Sequence, residues 1–194
     1  MLVLLGKIIP SAGWEKLARI VANILHLTGS ATRVLSRYAI QEIENTPDPR
    51  VLFRGNTLVT KLIDAYQKIV GLSYLKSVIQ PTIKRVYELR KAIDLDPSRV
   101  DKESLLRNRM MFENEFTSIT EAIFSSACEC PEPMRVIYSN LERKIIEKYS
   151  PNEGDIVRYT VVNSFLILRL FVPAFLTPTV FKVKCYFVFV DFHA

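Results

Sequence analysis

From Trp14 to Leu170 the apolar residues return every three or four positions, and the returns stop only where glycine or proline stops them. A turn of 3.6 residues places such positions on one face, so the pattern admits helices and little else. The first stripe, Trp14, Leu17, Ile20, Val21, Ile24 and Leu25, is closed by Gly29. Ser30 stands as N-cap to the second, Val34, Leu35, Tyr38 and Ile43, which Thr46-Pro47-Asp48-Pro49 closes. Leu58, Leu62, Tyr66 and Ile69 mark a third up to Gly71, and 72–79 reads as a short helix ahead of Pro81. Proline suits a first helical turn, so the spacing predicts a separate helix from Pro81 through Val86 and Leu89, fading before Asp96-Pro97. A long helix is expected over 104–127, and Pro131-Glu132-Pro133 separates it from another over 134–149. Asp155 is the expected cap of a very apolar helix through Leu170, buried on most sides.

After this the character changes. Phe181, Val183, Cys185, Phe187 and Phe189 alternate with Lys182, Lys184, Tyr186, Val188 and Val190, which reads as a strand. One strand after a helical chain has no obvious partner, and an apolar edge left open invites aggregation. The expected class is therefore all-α, with an atypical strand-like C-terminal tail.

A chain of 194 residues suits one core rather than two. Its 49% hydrophobic and 24% charged content is that of a globular chain, because a disordered one buries too little apolar surface to offset its ordering entropy. The apolar opening MLVLLGKIIP carries Lys7 and no preceding basic region, which argues against a signal peptide. The apolar run 159–176 is broken by Asn163, Ser164, Arg169 and Pro173, short of the about 20 residues that span a membrane. A cytoplasmic location is expected. Cys128, Cys130 and Cys185 are an odd number without a zinc-ligand pattern, so reduced thiols and no metal are expected.

The net charge of +6 suggests an acidic partner, yet the basic residues are scattered among acids, as in Glu142-Arg143-Lys144. No zinc finger, RNP pattern or arginine-rich arm points to nucleic acid. His26 and His193 lack triad partners, no HExxH or GxSxG occurs, and Gly6-Lys7 lacks the spacing of a phosphate loop. An active site made by this chain alone is not expected, nor is a cofactor.

Two arginines remain. Arg54 sits in VLFRGNTLVTK between a double-proline break and a helix, beside Gly55 and Asn56, which suit turns. Arg169 interrupts an apolar helix, where its five donors must find carbonyls or carboxylates. On periodicity alone the first is a solvated loop charge and the second a structural one.

Their joint context changes this. LFRGNTLVTKLIDAY at 52–66 resembles the finger-loop segment of the Ras GTPase-activating protein domain. SFLILRLFVPAFLTPTVF at 164–181 resembles that family's FLR block, and Gly71, Tyr74-Leu75 and Pro81-Thr82-Ile83 fall where the family has matching residues. The likeness runs over 14–181, between an N-terminal extension at 1–13 and a divergent tail at 182–194. It implies an all-helical domain that stimulates GTP hydrolysis by a Ras-type small GTPase in its GTP-bound form, a regulator rather than an enzyme.

By the same resemblance Arg54 matches the arginine finger and Arg169 the arginine that braces the finger loop. Phe53, Gly55, Asn56, Thr57, Lys61 and Leu168 match positions that shape the loop or meet the partner, while Ile167 stands where the family has phenylalanine. The family group it looks closest to carries C2 and PH modules, so membrane recruitment is expected only through domains outside this chain, at the inner face of the plasma membrane. A monomer is expected. The family continues past Phe181 with a groove-lining helix that supplies a lysine and an asparagine, and 182–194 departs from it. The alternative expectation is thus a truncated form: a catalytically silent helical binding module or an unstable fragment.

Overall fold

A computed structural model describes residues 9–89, 93–149 and 151–183. Every regular element among them is helical. The helices are α1 (Trp14–Leu27), α2 (Ala31–Asn45), α3 (Leu58–Val70), α4 (Leu72–Glu88), α5 (Lys102–Ser125), α6 (Glu132–Lys148), α7 (Pro151–Leu166) and α8 (Val172–Leu176). The tail expected to be a strand lies outside the described residues from Lys184 onward. Phe181, Lys182 and Val183 belong to a turn closed by Lys182 N–H on the Thr179 carbonyl and Val183 N–H on the Pro178 carbonyl.

The helices fall into two compact units, one built from the chain up to Ser73 with Cys130–Val172, the other from Tyr74–Glu129 with the chain from Pro173. In the first unit α1 packs on α3, α2 on α6 and α3, and α6 on α7. Small residues, Ala18 and Ala22 on α1 and Ala39 on α2, let helices approach closely. Leu35, Ile43, Leu62, Ile63, Met134, Ile137, Leu141, Phe165 and Phe171 fill the interior. Each such side chain contributes about 1.5–3 kcal/mol on leaving water.

The punctuation works through identifiable bonds. Gly29, at φ +62°, ends α1 in a Schellman motif: its N–H meets the His26 carbonyl and the Ser30 N–H meets that of Leu25. Ser30 stands before α2, but its hydroxyl pairs with Thr28 rather than capping the helix. Gly71 tolerates no side chain, since a Cβ there would lie 2.6 Å from the Gln67 carbonyl and 3.0 Å from the Met134 sulfur.

Three sequence expectations need correction. Pro81 does not begin a helix: α4 runs unbroken through it. Tyr74, Leu75, Val78, Ile79, Thr82 and Ile83 are buried on both sides of the proline, and that burial carries the helix across one missing hydrogen bond. Asp155 is not a cap, because α7 starts at Pro151 and the Asp155 carboxylate pairs with Arg158 one turn on. Nor do Asn163, Ser164, Arg169 and Pro173 break the last apolar run. Helix Gly154–Leu176 is continuous over 23 residues, long and apolar enough by length and composition to cross a membrane. Within it Ser164 returns its hydroxyl to the Val161 carbonyl.

In the second unit the Arg85 guanidinium on α4 grips both Glu115 oxygens and the Ser118 hydroxyl of α5. Asp101 caps α5 through the Glu103 and Ser104 N–H groups, and Asn108 donates to the Asp94 carbonyl. None of α5 is buried. Cys128 is exposed and Cys130 buried, both as free thiols, and Cys185 lies outside the described residues.

Candidate functional site

The loop that follows α2 is fastened before it turns. Lys148 and Tyr149, at the end of α6, reach across: the ammonium donates to the Ile43, Glu44 and Thr46 carbonyls, and the phenol to that of Thr46 at 2.7 Å. Asp48 then caps a short 3-10 turn, Pro49–Val51, by accepting from the Arg50 N–H, and the Arg50 guanidinium folds back on the same carboxylate. Those hydrogen bonds hold the Asp48 carboxyl below its ordinary range.

Next comes the sharpest feature of the loop. Phe53 lies at φ +53°, the left-handed region, which costs an L-residue about 1–2 kcal/mol. It holds that conformation because its ring is buried, edge-on against Phe165 with centroids 5.5 Å apart. Two neighbours therefore part company: Phe53 points inward and Arg54 outward into solvent. The Arg54 N–H closes the turn on the Val51 carbonyl, and its guanidinium makes no hydrogen bond or ion pair among the described residues.

From the other side, Arg169 reaches the loop. It sits in a π-helical turn, Ile167–Phe171, where the Val172 N–H bonds the carbonyl five residues back. Such turns widen a helix locally and re-aim its side chains. Half-buried, Arg169 donates to the Phe53 carbonyl at 2.9 Å and to the Ser164 carbonyl and hydroxyl at 3.1 Å each. Its guanidinium carbon lies 5.1 Å from the centre of the Phe165 ring. One aromatic ring thus meets both the buried Phe53 and the cation that bonds its carbonyl.

The far end of the loop is pinned by threonines. Thr57 caps α3 by accepting from the Thr60 N–H, and its own hydroxyl donates to the Glu42 carboxylate at 2.8 Å. Thr60, buried, donates to the Thr57 carbonyl and approaches that of Gly55 at 3.2 Å. Burial raises the Glu42 carboxyl above its ordinary range, against the lowering effect of the Thr57 hydroxyl. Between Thr57 and the buried Phe53, the residues Arg54, Gly55 and Asn56 are all exposed.

The structure therefore gathers Phe53, Arg54, Gly55, Asn56, Thr57 and Arg169 into one assembly. Leu168 lies beside it on the π turn, 63% exposed. Lys61 stands apart on α3, half-buried, its ammonium without hydrogen bond or ion pair among the described residues. Sequence reasoning missed the supports. Gln67 is 1% exposed, and its amide donates to the Phe165 carbonyl at 3.1 Å while accepting from the Tyr138 hydroxyl at 2.7 Å. It thereby ties α3 and α6 to the carbonyl just ahead of the π turn. The signal was its position, four residues after Ile63 on the apolar face of α3.

Comparison with known proteins adds relatives to this geometry. A family model described as GTPase-activator protein for Ras-like GTPase matches residues 34–112 and 102–186. The chain is 34% identical over 181 residues to "Probable Ras GTPase-activating-like protein ngap" of Dictyostelium discoideum, covering 93% of this chain and 20% of that protein. It is 34% identical over 171 residues to "RasGAP-activating-like protein 1" of Homo sapiens, at 80% and 21% coverage. It is also 34% identical over 164 residues to "Ras GTPase-activating protein 3" of Bos taurus, at 84% and 19% coverage. The chain spans about a fifth of the length of these curated relatives.

Proposed function

This chain belongs to the family of GTPase-activator proteins for Ras-like GTPases, and on that footing we propose that it stimulates GTP hydrolysis by a Ras-type small GTPase, with Arg54 as the arginine supplied in trans. The observation that carries the reading is the division of labour at Phe53 and Arg54: one side chain is locked inward, the other projects from a fastened backbone with an unpaired guanidinium. A planar, permanently charged group held that way can donate to two phosphoryl oxygens as charge develops on them, and a lysine ammonium cannot match that fork. Arg169 is the positioning residue, acting through the Phe53 carbonyl. Phe53, Gly55, Asn56 and Thr57 shape the loop, and Lys61 and Leu168 face the partner. The GTP-bound form is the one engaged, since only it carries the bond to be broken, and the outcome is negative regulation of Ras signalling.

The test is single-turnover hydrolysis by a GTP-loaded Ras protein with the native chain and with Arg54→Ala. The expected loss is a factor of about 10³ or more, the established scale for arginine fingers acting on Ras itself rather than a magnitude worked from this geometry. Affinity for the GTPase should change far less, because the interaction forms mainly in the transition state. A folded native chain that leaves the hydrolysis rate unaltered would sink the proposal.

A further inference from the structure

Where α3, α6 and α7 come together, the first unit buries a whole amide. Both ends of the Gln67 side chain are used: its oxygen accepts from the Tyr138 hydroxyl at 2.7 Å, and its nitrogen donates to the Phe165 carbonyl at 3.1 Å and to the Asp64 carboxylate at 3.3 Å. The Tyr138 ring also stacks along that of Phe165, with centroids 6.5 Å apart. Stability alone does not call for such a group, because a buried hydrogen bond contributes little net and apolar side chains of similar shape can replace both partners at almost no cost. What an amide adds is direction. Here the direction falls on the junction between α7 and the π turn. The Ser164 and Phe165 carbonyls follow one another in the last turn of α7, and each is held by a side chain, the first by Arg169 and the second by Gln67. The α register is the default for a helix, and a π turn survives where something maintains it. Return of Ile167–Phe171 to α spacing would swing Arg169 by up to about 100° around the axis, away from the Phe53 carbonyl that it meets at 2.9 Å.

We propose that Gln67 is a positioning residue for GTPase activation, on the reading above that Arg54 is the arginine supplied. From outside α7 it keeps the π register that aims Arg169 at the Phe53 carbonyl. Tyr138 keeps the amide the right way round, with its nitrogen towards Phe165. A leucine or methionine at position 67 would fill similar space and leave the junction without that donor.

The full chain carrying Gln67→Leu with Tyr138→Phe is compared with the native chain in two ways. In single-turnover hydrolysis by a GTP-loaded Ras protein, the plateau rate at saturating chain should fall about 3- to 10-fold, while the concentration giving half the plateau stays within about twofold. Partial unfolding would do the reverse, since it lowers the amount of competent chain and not the rate of a complex once formed. In an Arg169→Ala background the same pair should alter the plateau by less than about twofold, because its effect runs through Arg169. Amide exchange of the chain alone is the second readout. The Arg54 and Val172 N–H groups, which close the loop turn and the π turn, should exchange about 3- to 10-fold faster, with the amides of α2 unchanged. If the pair does not fold, Gln67→Met alone, similar in length and without the amide, takes its place in both measurements. An unchanged plateau, an equal loss in both backgrounds, or unchanged exchange at Arg54 and Val172 overturns the proposal. A native chain that leaves hydrolysis unaltered sinks the reading of Arg54 and this role with it, whereas faster exchange in the pair would still show Gln67 holding the turn.

Discussion

Replacing Arg169 by alanine removes three hydrogen bonds and the contact with the Phe165 ring, but the consequence that matters concerns Phe53. The left-handed backbone there costs about 1–2 kcal/mol, and a charge-assisted bond to its carbonyl returns about 1.5–3 kcal/mol. With Arg169 that bond offsets most or all of the cost. Removing it withdraws roughly 1–2 kcal/mol of that support and leaves the Phe53 ring on Phe165 to hold the turn, so the ratio of chains presenting Arg54 to those that do not falls about 5- to 30-fold. Single-turnover GTP hydrolysis at saturating chain should fall by that factor, well short of the loss from Arg54→Ala. Arg169→Lys can reach one carbonyl but not fork across two, and should fall between the native chain and the alanine variant. Hydrolysis within twofold of native in Arg169→Ala would refute the brace. A loss equal to that of Arg54→Ala would refute it differently, by placing Arg169 on the reacting atoms.

Two further outcomes follow from the supports. Tyr138→Phe leaves the buried Gln67 carbonyl oxygen without its donor and should cost roughly 1–3 kcal/mol in urea unfolding, with part of the loss recovered when Gln67→Leu is added; an unchanged midpoint would contradict it. Burial favours the protonated form of Glu42 in the fold, so its contribution is fully present below the unfolded value near 4.5 and is lost as pH rises through the higher folded value. Glu42→Gln lacks that dependence and should gain stability relative to native between pH 4 and pH 7, and a difference independent of pH would rule the linkage out.

The helices were legible wherever an apolar stripe met a clear stop, as at Gly29, Pro47 and Gly71. Pro81 misled because a local rule about a missing N–H cannot weigh burial of six side chains on the same helix. Asp155 misled similarly, since capping depends on where the chain emerges from Tyr149 and not on residue type alone. At the site, the two arginines were visible as a pair of motifs, but the geometry joining them was not. Nothing in the composition of VLFRGN marks Phe53 as left-handed, because that conformation is imposed by a ring pocket made by Phe165. Gln67 and Glu42 look like ordinary polar positions on helices, and their burial comes from α6 and from the Thr57 turn.

Lys148, Tyr149 and Arg169 secure the loop from far along the chain, with 103 positions separating Tyr149 from Thr46 and 116 separating Arg169 from Phe53. During synthesis Arg54 leaves the ribosome long before Phe165 and Arg169, which hold the neighbouring Phe53. At about 5–20 residues per second the delay before Arg169 follows is roughly 6–23 s. Closing contacts over such spans is also among the slower events in folding, because loop entropy is spent before the contact forms. A nascent chain that has emerged only as far as α5 therefore carries Arg54 without the ring and the guanidinium that hold Phe53, and the loop is completed only with the π turn.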